Sequence, residues 1–145
     1  MTLDASEENH DAFTAYLQSL PFVRFLGIRC DIRGDEMTSI LPYQDMLIGN
    51  PTIPALHGGA VGAFLEIAAM AQLFLASGIA RPPKPIDLTV DYLRSGAPED
   101  VFARATITKL GRRITNVRAE AWQTRRDKPI AAIHAHFLMP NAPET

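Results

Sequence analysis

Hydrophobic positions recur along the chain in several rhythms, and each predicts a different element. Phe13, Tyr16, Leu17 and Leu20 return at three- and four-residue spacing, so residues 6–20 predict a short amphipathic helix. Ser6 suits its N-cap, Glu7 and Glu8 suit the positive end of its dipole, and Pro21 suits its end. Residues 22–32 are rich in apolar and β-branched side chains and predict a strand. Gly34-Asp35 supplies turn chemistry, and residues 36–41 return as the second strand of a hairpin. Residues 43–55 contain Gly49, Asn50, Pro51 and Pro54 and predict a loop. Further along, residues 86–93, 101–110, 114–124 and 130–139 predict four long strands, with Val101, Ala103, Ala105 and Ile107 on one face of the second. Residues 1–5 and 140–145 are expected to be unstructured.

Between the loop and the four strands lies residues 56–77, LHGGAVGAFLEIAAMAQLFLAS. From Gly59 onward it is nearly all small or apolar, interrupted by Glu66 and Gln72. A helix apolar on every side is wrapped by other structure or crosses a membrane. The length approaches the ~20 residues of a bilayer span. A carboxylate near the middle is costly in hydrocarbon, and Pro82, Pro83 and Pro85 close the segment. A buried helix with no membrane span is therefore expected. Four strands after one buried helix predict an α+β fold in which an antiparallel sheet wraps that helix. The whole chain, 1–145, is expected to be one domain with its core over about residues 20–139.

Composition changes little. Net charge is −2 and charged residues make up 21% of the chain, so nothing draws it toward nucleic acid. Charge is uneven: residues 1–50 hold eight acidic and three basic residues, and residues 94–128 hold nine basic and four acidic. The basic half suits an anionic ligand or a solvated strand face. Cys30 is alone, so neither a disulfide framework nor a cysteine metal cluster is expected. The polar, acidic start is unlike a signal peptide, and a cytoplasmic location is expected.

Candidate chemistry concentrates in the central stretch. His57-Gly58-Gly59 lets the backbone turn and brings bare N–H groups to a helix start. Glu66 follows two turns later, and an ionised Glu is rarely buried without a partner or a purpose. It is either a reacting carboxylate or a structural one bonded to a loop N–H or an arginine. His134 and His136 share a strand face, but no third ligand stands near them in sequence. Trp122 and Phe137 read as sheet aromatics. No cofactor is expected.

With these elements in order, the sequence resembles the hotdog-fold thioesterases of the PaaI-like group. The resemblance rests on Leu26-Gly27, HGGAVGAFLE from His57 to Glu66, DLTVDYLR from Asp87 to Arg94, and Gly111-Arg112-Arg113. It implies an enzyme hydrolysing acyl-coenzyme A to free acid and coenzyme A. Glu66 would be nucleophile or general base, the Gly58 N–H an oxyanion donor, and His57 the residue ordering that loop. The family's polar amide sits about six residues before the His. That position is Pro51 here, and Asn50, one residue earlier, is the candidate. Gly59, Arg94, Gly111, Arg112 and Arg113 are the implied coenzyme contacts. Relatives also place a hydroxyl where this chain has Met70 or Pro85. A non-catalytic acyl-CoA-binding or sensing module on the same fold is the alternative. Gly58 and Glu66 lie roughly 12 Å apart along one helix, too far to share one carbonyl. The resemblance implies a homodimer, or a dimer of dimers, with sites between chains.

Overall fold

The computed structural model describes residues 5–78 and 81–140. Of the expected loose ends, residues 1–5 and 140–145, residues 1–4 and 141–145 lie outside the described residues, whereas Ala5 already opens a helix. Helix α1 (Ala5–Ser19) is followed by a short α2 (Pro21–Leu26), the hairpin β1 (Arg29–Arg33) and β2 (Glu36–Leu41), and a 3-10 turn (Asp45–Leu47). A small hairpin, β3 (Ile48–Asn50) and β4 (Ala55–Leu56), leads into α3 (Gly58–Ser77). Strands β5 (Lys84–Tyr92), β6 (Val101–Lys109), β7 (Ile114–Trp122) and β8 (Ala131–Leu138) complete the chain. Ser6 falls inside α1, and its side chain lies outside the described residues.

Six strands form one antiparallel sheet in the order β1-β2-β6-β7-β8-β5. It wraps α3, as the all-round apolarity of that helix requires. The inward positions are small: Ala103, Ala119, Ala121, Ala131 and Ala135 are all buried. Small side chains let the strands approach the helix closely, and Phe64, Leu65, Ile133 and Phe137 fill the remaining volume. Phe13 and Tyr16 of α1 close the far end by packing on Phe74, with ring centroids 5.8 and 5.0 Å apart. The buried Gln72 donates to the Asp35 carbonyl at 3.3 Å, tying α3 to the β1–β2 turn. Helix α3 has the length and apolarity of a bilayer span, but more than half of that stretch (56%) is buried inside the protein.

Two expectations need correction. The strand expected over residues 22–32 begins only at Arg29, because Pro21–Leu26 is helical. Pro21 starts this helix rather than merely ending α1: its fixed φ suits the first helical turn, and Gly27 at φ 73° closes the other end. The loop expected over residues 43–55 contains a 3-10 turn and the β3–β4 pair. The four later strands fall where alternation placed them, each shifted by no more than two residues.

Phe64 is fully buried where α3 meets the sheet. Phe64→Ala should cost about 3–5 kcal/mol of stability, read by urea denaturation. A loss under about 1 kcal/mol would mean that the helix–sheet interface is not the core described here.

Candidate active site

The start of α3 is held from several directions. The Leu56 N–H bonds the Gly96 carbonyl at 2.9 Å, and the His57 N–H bonds the Leu47 carbonyl at 2.7 Å. His57 is the N-cap, with extended backbone, and its Nδ1 accepts the Gly59 N–H at 2.9 Å. Acceptance at Nδ1 requires the ring proton on Nε2. The His57 carbonyl takes the Ala60 and Val61 N–H groups at 3.1 and 3.2 Å. Of the first four N–H groups of the helix, the Gly58 N–H alone has no acceptor among the described residues. An unclaimed N–H at the positive end of a long helix is poised for developing negative charge.

Gly58 lines a cavity of about 360 Å³ together with Leu56, Tyr92, Arg94, Gly96 and Ile130. Arg94 is anchored there, its Nη1 donating to the Pro129 carbonyl at 2.8 Å. Asn50 is exposed on the neighbouring small hairpin, where its Oδ1 accepts the Thr52 N–H at 3.0 Å, the bond a turn-initiating Asn makes.

Glu66 is elsewhere. It is half-buried and walls a second cavity of about 390 Å³ with Leu20, Phe22, Met70, Pro85 and Phe137. No loop N–H or arginine among the described residues binds its carboxylate. The hydroxyl-free positions Met70 and Pro85 both line this space, so its wall is almost wholly apolar.

The strand register separates the basic groups too. Tyr92, Ala131, Ala121 and Ala103 lie across the sheet at the Gly58 end. Lys84, Leu138 and Ile114 lie across it at the other end, beside the β6–β7 turn with Gly111, Arg112 and Arg113. Those ends are eight residues apart along β5, roughly 27 Å. One chain therefore gathers Asn50, His57, Gly58, Gly59 and Arg94 at one end. It carries Glu66 midway along α3, and Arg112 and Arg113, both exposed, at the other end. Gly111 has a local structural reason to be glycine, since a β-carbon would run into the Ile114 carbonyl oxygen.

The remaining candidates find other roles. His136 Nδ1 lies 2.7 Å from Asp87 Oδ1, whereas His134 points to solvent. Burial pushes the Cys30 thiol up, against a smaller downward pull from its contact with Ser39 at 3.7 Å, so it is not an activated thiolate. Sequence reasoning missed Tyr92, whose hydroxyl donates to the Gly58 carbonyl at 2.7 Å. Its signal was a tyrosine closing a strand inside the DYLR motif.

An antiparallel sheet wrapped in this strand order around one buried helix defines the hotdog fold, and solved proteins of that fold superpose on the chain. Residues 49–138 match the acyl-CoA thioesterase N-terminal domain, and the chain belongs to that family of thioester hydrolases. The medium/long-chain acyl-CoA thioesterase YigI of Escherichia coli K12 is 28% identical over 120 residues, spanning 72% of this chain and 77% of YigI. A solved protein of Chromobacterium violaceum is 37% identical with TM-score 0.74, covering 92% of this chain and 93% of its own. The E. coli PaaI protein, from the phenylacetic acid degradation operon, shares the fold at TM-score 0.78 and 14% identity, over 93% of this chain and 95% of its own.

The His57 cap generates a direct test. His57→Ala removes the acceptor for the Gly59 N–H and should cost about 1 kcal/mol in urea denaturation. His57→Asn, whose side-chain oxygen makes an N-cap bond, should recover most of it. Equal losses in both variants would show that the ring, not the cap, matters.

Proposed function

We propose that the chain hydrolyses acyl-coenzyme A with Glu66 as its reacting carboxylate and the Gly58 N–H as its oxyanion donor. The observation that carries this reading is a single unpaired carboxylate in the wall of a roomy apolar cavity. An acyl chain entering that cavity leaves its thioester carbonyl at Glu66. As general base, Glu66 takes a proton from water while the hydroxide attacks the carbonyl carbon. The carbonyl oxygen becomes an oxyanion, stabilised by the N–H by a few kcal/mol. Collapse breaks the carbon–sulfur bond, and the proton passes from Glu66 to the departing thiolate. As nucleophile, Glu66 would instead displace the coenzyme A thiolate to form an acyl anhydride, which water then opens to the free acid and the restored carboxylate. The almost wholly apolar wall suits a hydrocarbon chain, in keeping with the medium/long-chain name of the YigI relative.

The Gly58 that serves a given Glu66 belongs to a second chain. Gly58 and Glu66 of one chain open on different cavities, and the outer edge of β5 has no partner strand among the described residues. Antiparallel pairing of two β5 edges exchanges their ends. It sets the Gly58 end of one chain, with Asn50, Gly59 and Arg94, beside the end of the other that carries Gly111, Arg112 and Arg113 and toward which the Glu66 cavity extends through Pro85 and Phe137. The arginines then flank one mouth, suited to coenzyme phosphates. A dimer of dimers is compatible with this pairing. Coenzyme A thioesters and the unpaired Cys30 both suit a reducing cytoplasm, to which we assign the enzyme.

Glu66→Gln should keep the fold and acyl-CoA binding while lowering kcat at least about a hundredfold. Thiol release from a panel of short, medium, long and aromatic acyl-CoAs measures it, and near-wild-type kcat would remove Glu66 from the chemistry. A wild-type protein that binds the panel but releases no thiol would favour a binding module, a reading that the hydroxyl-free wall at Met70 and Pro85 supports. Light scattering should give a mass of two or four chains. An active monomer at micromolar concentration would defeat the shared site.

A further inference from the structure

The helix start that offers the Gly58 N–H opens with two glycines, the residues least able to hold a backbone in one conformation. The structure shows what restrains them. The peptide joining Gly58 to Gly59 is gripped at both ends: its N–H donates to His57 Nδ1 at 2.9 Å, and its carbonyl accepts the Tyr92 hydroxyl at 2.7 Å. The Tyr92 ring lies in a notch made by absent side chains. A β-carbon on Gly58 would stand 3.2 Å from the ring, and one on Gly62 would stand 3.2 Å from the hydroxyl. These two glycines, one helical turn apart, therefore form the seat of a tyrosine borne by the last residue of β5.

We infer that Tyr92 is a positioning residue, aiming the Gly58 N–H by fixing the peptide that follows it. This rests on the oxyanion role proposed for that N–H. Within a single chain Tyr92 is 57% exposed, so it contributes modestly to that chain's own core, and its most specific contact is the one with the Gly58 carbonyl. The carbonyl would keep its helical acceptor role without the hydroxyl, but the glycine pair would lose one of its two clamps.

Two substitutions probe one hydroxyl from opposite sides. Tyr92→Phe removes it and leaves the ring seated. Gly62→Ala places a methyl against it, and within 4 Å that methyl otherwise meets only Val90, at 3.7 Å. Each single variant should lower kcat about tenfold and leave KM within about twofold, the pattern of a donor that acts in the transition state. The double variant should be no slower than Tyr92→Phe, because the methyl then has nothing to displace. Amide hydrogen exchange at Gly59 should quicken about tenfold in Tyr92→Phe, whether or not the protein turns over a given substrate. Wild-type kcat and unchanged Gly59 exchange in Tyr92→Phe would overturn the inference, as would multiplied losses in the double variant. A wild-type chain inactive on every acyl-CoA, with Gly59 exchange still quickened by Tyr92→Phe, would sink the thioesterase mechanism and keep the clamp.

Discussion

A twenty-residue helix with no polar face must be covered on every side, and most of this structure follows from that requirement. The sheet covers α3 through a lining of alanines, which lets strands approach the helix closely along its length. The side left over is covered less tightly. There the α1–α2 elbow and the proline-rich entry to β5 stand off far enough to leave the cavity into which Glu66 looks. The carboxylate sits where wrapping is incomplete, which is why it has no structural partner among the described residues. Packing and the proposed site thus follow from one constraint: tight burial on the sheet side, and a hollow on the other.

The same helix fixes the chemistry at its start. A long helix concentrates partial positive charge at its first N–H groups, and capping normally consumes them. Here His57 consumes three with its ring and carbonyl, leaving the Gly58 N–H without an acceptor among the described residues. Glycines at 58, 59 and 62 keep that region open, and their looseness is offset by bonds from His57 and Tyr92. Because that N–H and the carboxylate stand about two helical turns apart, the proposed mechanism needs a second chain to bring them together. The unpaired β5 edge offers the way to bring two half-sites together.

Much of this was legible in the residues. Strands β6, β7 and β8 declare themselves by alternation, and α3 by an apolar run too long for a strand. Glu66 and the HGG start stand out because they interrupt that run or open it. The apolar stretch from Phe22 was misread because five residues have too few repeats to separate helix from strand; the useful signals were Pro21 before it and Gly27 after it. The β3–β4 pair is too short to show a period. Which candidates share an end of the molecule was not legible, since that depends on strand register. Tyr92 stayed hidden because its partner is a backbone carbonyl 34 residues away, which no side-chain pattern marks.

The central claim is that each active site takes its oxyanion donor from one chain and its carboxylate from another. Gly58→Pro removes the donor at a first helical position, and the extended backbone of His57 suits a following proline; its β-carbon also presses on the Tyr92 ring at 3.2 Å, so the variant disables that half-site on both counts. Alone, this variant and Glu66→Gln should each be nearly inactive. Unfolded and refolded together in equal amounts, half of their dimers are mixed, and each mixed dimer carries one intact and one doubly damaged site. About a quarter of the wild-type rate should therefore return. If the mixture is no more active than the two variants measured separately, each site lies within a single chain and the account is wrong.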